Sequence, residues 1–199
     1  MAMVADLREP EATTDDHLMR RVADGDLGAF GLLVERHQQR ALGFAFHLMA
    51  DGDGAKDAAQ ESFLRLLGAA RRYRPRAAFT TYLYAIVRNT VREARRRQRR
   101  EVPIDPRVDP TPLAVTTDPA GDPPPPDQLL QRSRLRARLA EAIARLPEEL
   151  RIVFVLSEIE GVAYKEISRI CGCPMGTVAS RKHAAVRELR RLLGPLGRS

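Results

Sequence analysis

The sequence predicts an all-α protein of two small helical domains joined by a Pro-rich acidic linker, and three observations lead there. Apolar residues recur at three- and four-residue steps on both sides of the chain's middle, with no alternating strand pattern to compete. Nine of the fourteen prolines fall within residues 101–127, a stretch with little apolar material for a core. Charge changes sign in blocks along the 199 residues: acidic over 1–70, strongly basic over 71–100, acidic over 101–127 and basic over 128–199. The organisation expected is a disordered terminus over 1–14, a first domain over 15–100, a tether over 101–127 and a second domain over 128–194.

In the first domain Asp26 can cap a helix whose Leu27, Phe30, Leu33, Val34 and His37 share one face. Asp53 can cap the next, with Ala55, Ala59, Phe63, Leu66 and Leu67 inward and Gly68 near its end. A third helix follows Pro75, with Phe79, Leu83, Ile86, Val87 and Val91 on one face and Arg88, Arg92, Arg95, Arg96 and Arg99 largely on the other. In the second domain 127–146 reads as a helix ended by Pro147, and 148–160 as a very apolar helix stopped by Gly161. Two shorter segments then have helix-turn-helix spacing: 164–171, a bend at Gly172 with Pro174, and a second helix from Gly176.

A formal net charge of +7 with 33 Lys and Arg favours a polyanionic partner. The chain carries no basic start followed by an apolar run and no eighteen-residue apolar stretch, which predicts a cytoplasmic protein without membrane insertion. Cys171 and Cys173 are one residue apart, so no disulfide framework is expected, and both read as small buried residues of a turn rather than as a metal or redox pair. Asp51, Asp53 and Asp57 lack the Gly and Glu that a calcium loop needs, at Lys56 and Ser62, and read as helix-capping acids. The four histidines have no carboxylate or cysteine at ligand spacing, so His37 and His47 read as packing residues, and neither a metal, a cofactor nor a catalytic set is expected.

Two segments carry candidate function. The second helix of the helix-turn-helix presents Thr177, Ser180, Arg181, Lys182, His183 and, one turn on, Arg187, side chains that suit phosphates and major-groove base edges. An ordinary helical hairpin with a solvated basic face would carry the same pattern. The second segment, 71–100, holds eleven arginines against one acid and interleaves Tyr73, Phe79, Tyr82 and Tyr84 with Arg72, Arg74, Arg76 and Arg88. Flat rings among cations suit an unpaired nucleic acid strand, by stacking and charge. The plainer alternative makes Phe79 and one tyrosine core residues and the arginines a solvated helix end.

The ordered set Asp57-Ala-Ala-Gln60-Glu61-Ser-Phe63, Phe79-Thr-Thr-Tyr82-Leu-Tyr-Ala-Ile-Val-Arg88-Asn89, Leu146-Pro147-Glu-Glu-Leu-Arg, Gly161-Val-Ala-Tyr-Lys-Glu-Ile and Pro174-Met-Gly-Thr-Val resembles the extracytoplasmic-function (ECF) sigma factors over about 15–100 and 128–193. The resemblance implies a non-enzymatic factor that binds core RNA polymerase and directs promoter opening. It places Asp57, Gln60, Glu61 and Leu64 on the helix that docks on the clamp of the largest polymerase subunit. Residues 71–78, with Arg74 and Arg76, match the loop that captures a flipped base of the minus-ten element. Tyr82, Arg88, Asn89, Arg92, Arg95 and Arg96 fall on the surface facing that element, and the helix from Gly176 matches the reader of the minus-thirty-five element. An anti-sigma factor is a further partner implied by the family. The alternative is a helix-turn-helix regulator of duplex DNA that works without polymerase, which would have no need of the aromatic and Arg-rich segment. This sequence departs from the family pattern at Tyr82, where Trp is usual, at Ala85, Ala179 and Ala184, where basic residues are usual, at Pro75 and Arg76, where the loop usually contains Gly, and at Lys182, usually an apolar site.

Overall fold

The computed structural model describes residues 14–101 and 126–194, helices joined by short turns, bends and irregular links with no strand among the described residues. The expected disordered terminus and nearly all of the expected tether lie outside the described residues. Four helices form the first module: α1 (Asp15–Ala23), α2 (Leu27–Met49), α3 (Gly52–Ala69) and α4 (Phe79–Glu101), with a single 3-10 turn at Ala70–Arg72 after α3. Four more form the second: α5 (Pro126–Arg145), α6 (Glu148–Phe154), α7 (Tyr164–Cys171) and α8 (Met175–Leu193).

Asp26 caps α2 as expected, accepting from the Ala29 amide at 3.0 Å. Asp51, not Asp53, caps α3: its carboxylate accepts the amides of Asp53 and Gly54 at 3.2 Å each. Asp53 sits in the first turn, where it favours the positive end of the helix dipole, and pairs with Lys56 at 3.0 Å. The sequence reading assigned no helix before Asp26. There, Thr14 caps α1 through its hydroxyl, and Leu18, Met19 and Val22 bury one face of the helix against α2. The helix expected over 148–160 is α6 continued by a π-helical turn over Val155–Ile159, in which the Glu160 amide reaches back to the Val155 carbonyl at 3.0 Å.

The first core is built from Leu18, Met19, Leu33, Phe44, Leu66 and Leu83, and the second from Ile143, Leu146, Leu156, Ile167, Ile170 and Val178, all buried. The modules also touch each other, α2 against α5 and α6 and α4 against α7. The seam is polar. Arg151, buried on α6, donates to the Leu48 carbonyl of α2 at 2.7 Å and to the Leu146 carbonyl at 2.8 Å, and also reaches the Ala144 carbonyl. Burial pulls its pKa down to about 10, so it remains a cation at neutral pH, held by carbonyl dipoles rather than by a carboxylate.

Candidate nucleic-acid and polymerase interface

On α3 the steps of three and four residues place Asp57, Gln60, Glu61 and Leu64 along one stripe. Asp57, Gln60 and Leu64 are exposed, and Leu64 is a large apolar side chain 56% open to solvent. Glu61 is half-buried and accepts from Arg65 at 2.8 Å, while the same guanidinium bridges to Glu93 of α4 at 2.7 Å. Those two carboxylates push the Arg65 pKa up, and Arg65 in turn holds Glu93 below the usual carboxylate range. The stripe is therefore anchored to α4 at one corner and open along the rest.

At the head of α4 the four aromatic residues separate into two classes. Tyr73, Phe79 and Tyr84 are buried, Tyr84 edge-on to Phe44 at 5.1 Å, so three of the rings expected to meet a strand are core. Only Tyr82 stays half-exposed, its ring 5.1 Å from that of Tyr73. It borders an open cavity of about 420 Å³ shared with Arg72, Tyr73, Arg74, Arg76 and Arg169. Arg74 and Arg76 are exposed, and the Arg74 guanidinium folds back onto the Tyr73 carbonyl at 2.8 Å.

Farther along α4 the expected strand-facing residues are engaged by the second module. Arg88 donates to the Asn89 side-chain oxygen at 2.9 Å and to the Ile170 carbonyl at the end of α7. Arg92 and Arg95 reach Glu148 at 3.0 and 3.9 Å, while Asn89 and Arg96 are exposed. Two further links cross the seam: Thr81 donates to Glu166 at 2.8 Å and Tyr84 to Glu160 at 2.5 Å. Sequence reasoning missed Arg151, Glu160 and Glu166, because periodicity reports which face is inward and not which module that face meets.

The helix-turn-helix forms where expected. Gly172 ends α7 in the left-handed region at φ +65°, Pro174 precedes α8, and Val178 and Leu189 are buried. The Ser180 hydroxyl donates to the Thr177 carbonyl at 3.0 Å, and Ser180, His183 and Arg187 are exposed. Arg181 pairs with Glu149 of α6 and lies 3.7 Å from the Cys173 sulfur. Lys182, at the usually apolar position, lies over the Tyr164 ring at 5.7 Å from its centroid and pairs with Glu158 at 2.7 Å. Those bonds, first that to Glu158, raise its pKa, and its stem covers the apolar surface that an aliphatic residue would cover. Cys171 and Cys173 are half-buried free thiols, and burial pushes the Cys171 thiol up, away from thiolate chemistry.

His37 was expected to pack without a carboxylate partner, but its Nε2 lies 2.8 Å from Asp15 of α1. Among the described residues no three His, Cys, Asp or Glu side chains converge as a metal site, and no helix is long and apolar enough to cross a membrane.

A family model for sigma-70 region 2 matches residues 33–101, and one for sigma-70 region 4 matches residues 136–189. The chain belongs to the ECF sigma factors. The RNA polymerase sigma-H factor of Pseudomonas aeruginosa is 34% identical over 92% of this chain and 95% of its own length. The ECF RNA polymerase sigma-E factor of Haemophilus influenzae is 34% identical over 94% of this chain and 98% of its own. Two solved structures share the fold: CnrH in complex with the cytosolic domain of CnrY, at TM-score 0.66 and 24% identity over 90% of this chain and 96% of that one, and the sigma factor RpoE with the anti-sigma factor NepR from Bartonella quintana, at TM-score 0.63 and 23% identity over 82% and 96%. Region 2 of this sigma factor thus corresponds to most of α2 with α3 and α4, and region 4 to the second half of α5 through most of α8. The helix-turn-helix belongs to a transcription initiation factor and not to a free-standing regulator.

Proposed function

We propose that this sigma factor binds core RNA polymerase through the α3 stripe Asp57, Gln60, Glu61 and Leu64, holds the unwound minus-ten strand at the head of α4, and reads the minus-thirty-five duplex with α8. It catalyses nothing itself and works in the cytoplasm with the polymerase. The observation that carries the reading is the cavity beside Tyr82. An accessible ring flanked by Arg72, Arg74 and Arg76 offers stacking and charge to a single strand, and a protein that reads only duplex DNA has no use for it. Arg88, Asn89, Arg92, Arg95 and Arg96 continue the cationic face along α4. An anti-sigma factor is the further partner, with exposed apolar side chains such as Leu27, Leu32, Ile159 and Met175 available to it.

The test is run-off transcription with purified core polymerase on a randomised promoter library, followed by sequencing of the transcripts. Defined start sites with shared upstream elements are expected; duplex binding without initiation would overturn the reading. A double change of Gln60 and Glu61 to Ala is expected to lower core affinity in an anisotropy titration with helix content unchanged, and unchanged affinity would remove the α3 stripe from the interface.

A further inference from the structure

We infer that Asp16 is a positioning residue for strand capture, setting the Tyr82 ring and the Arg74 side chain through Tyr73. The inference rests on the minus-ten reading above and extends it to α1, which lies before residue 33, where the match to region 2 begins.

The Tyr73 hydroxyl donates to Asp16 Oδ1 at 2.5 Å, tying the loop before α4 to the first turn of α1. Burial, then the Asp16 carboxylate, push the Tyr73 phenol well above its usual range, so it remains a donor at any physiological pH. Tyr73 is 8% exposed, and its ring lies 6.3 Å from that of Phe79 and 5.1 Å from that of Tyr82. The neighbouring carboxylate, Asp15, holds His37 at 2.8 Å, and the His37 ring lies 4.9 Å from Phe79. Two adjacent acids of α1 therefore each grip one ring of a single cluster, and Tyr82, half-exposed beside the buried Tyr73, is the more accessible of the two cluster members that line the cavity.

A ring that stacks on an unpaired base gains most when it is already held in its bound orientation, because less side-chain freedom remains to be lost on binding. The buried Tyr73 ring supplies that support, and Asp16 fixes where Tyr73 stands. The same anchor places a cation, since Arg74 rests on the Tyr73 carbonyl. An acid in the first turn of a helix also favours the helix dipole, and a role limited to the dipole would act on stability alone.

The experiment compares the full-length Asp16→Ala, Asp16→Asn and Tyr73→Phe variants, the Asp16→Ala/Tyr73→Phe double variant and Tyr82→Ala. All are assayed with core polymerase on a promoter recovered from the library selection. Permanganate reactivity of minus-ten thymines reads strand opening, anisotropy reads core affinity and closed-complex formation, and a thermal melt reads stability. Asp16→Ala and Tyr73→Phe should each lower strand opening by about three- to tenfold, the range of one lost hydrogen bond, with core affinity and closed-complex formation within about twofold. The double variant should be no worse than either single one. Asp16→Asn, which keeps an acceptor oxygen, should open nearly as the parent does. Additive losses, an Asn variant as impaired as the Ala variant, or full opening by Tyr73→Phe would each overturn the inference. Tyr73→Phe keeps the ring and so remains decisive if Asp16→Ala fails to fold. Normal opening by Tyr82→Ala would overturn the minus-ten reading itself, whereas a Tyr82→Ala defect beside a fully active Tyr73→Phe would overturn only the role of Asp16.

Discussion

On α8, Arg181 and Lys182 are adjacent cations in different circumstances. Lys182 is committed to Glu158 and the Tyr164 face, where its stem fills a position that aliphatic residues usually hold. Arg181 is paired with Glu149 and lies against the Cys173 sulfur, and its planar fork, once released from Glu149, can grip a guanine edge in two bonds. Arg181→Ala is therefore expected to cost about 1–3 kcal/mol of upstream-duplex affinity and to relax discrimination at one base pair. Lys182→Ala should cost less than Arg181→Ala, because its ammonium is held by Glu158 over the Tyr164 ring. Titrations of the full chain on matched and single-mismatch duplexes at two salt concentrations separate the two, since a phosphate contact would instead weaken every sequence alike and lower the salt slope by about one unit. A larger effect at Lys182 than at Arg181 would mean that α8 enters the groove in a different rotation. At the other end of the chain, burial alone would raise the Asp15 pKa, but its bonds to His37 and Arg36 outweigh burial and hold it below 3.8. A depressed carboxylate contributes stability that is present above its unfolded value and lost as pH falls through its folded value. Asp15→Asn is expected to flatten the acid limb of the stability curve below about pH 4 relative to the parent, as followed by helical circular dichroism.

Helix ends give a matched pair of predictions. Ala50 closes α2 at φ +57°, the only residue other than glycine at positive φ among the described residues, and its amide still reaches the Phe46 carbonyl at 2.8 Å. Gly172 closes α7 at φ +65°, and a Cβ there would meet nothing within 4 Å, so the cost of a side chain at that position is conformational. Ala50→Gly should raise stability, by less than about 1 kcal/mol because Gly also loosens the unfolded chain, while Gly172→Ala should lower it by about 1 kcal/mol. Urea midpoints at constant m-value measure both changes, and opposite signs to these would refute the account of either cap. The turn at Gly172 was legible because glycine marks such ends; the turn at Ala50 was not, because alanine is the best helix former and gives no sign of a stop. α1 escaped for a related reason, since nine residues give only about two and a half turns of apolar period and its helix is fixed by packing on α2 rather than by propensity. α4 was legible as a helix and as a cationic face, yet an aromatic residue at helical spacing can be core or contact surface with equal ease. Only packing against Phe44 and Asp16 shows that Tyr84 and Tyr73 belong inside, while Tyr82 stays half-exposed at the cavity.

In the arrangement described, surfaces that would meet promoter DNA face each other. Arg88 is bonded to the end of α7, Arg92 and Arg95 share Glu148, and Arg169 of α7 borders the cavity beside Tyr82. On the proposed minus-ten reading, strand capture requires α4 and α7 to part, and the links across the seam set how readily they do. Glu160 is the informative one. It accepts the Tyr84 hydroxyl with most of its surface covered, and burial raises its pKa above 4.5 despite the opposing effects of that hydrogen bond and of Arg40. When the modules separate, water reaches the carboxyl and its pKa falls back toward 4.5. The closed form thus binds a proton more tightly than the open one. By linkage, closure is favoured as pH falls through the raised value and is opposed above it, where a charged carboxylate has to be kept out of water. Fluorescence energy transfer between labels on α3 and α8 should accordingly report a larger closed fraction as the pH is lowered from neutrality, with both cores still folded by circular dichroism. Glu160→Gln keeps an acceptor for Tyr84 and removes the charge, so it should hold the modules closed across that range and abolish the pH dependence. In transcription with core polymerase it should slow the first round, because more of the factor must open before it can engage DNA. A pH dependence that persists unchanged in Glu160→Gln would assign the titration to another group and remove Glu160 from the control of closure.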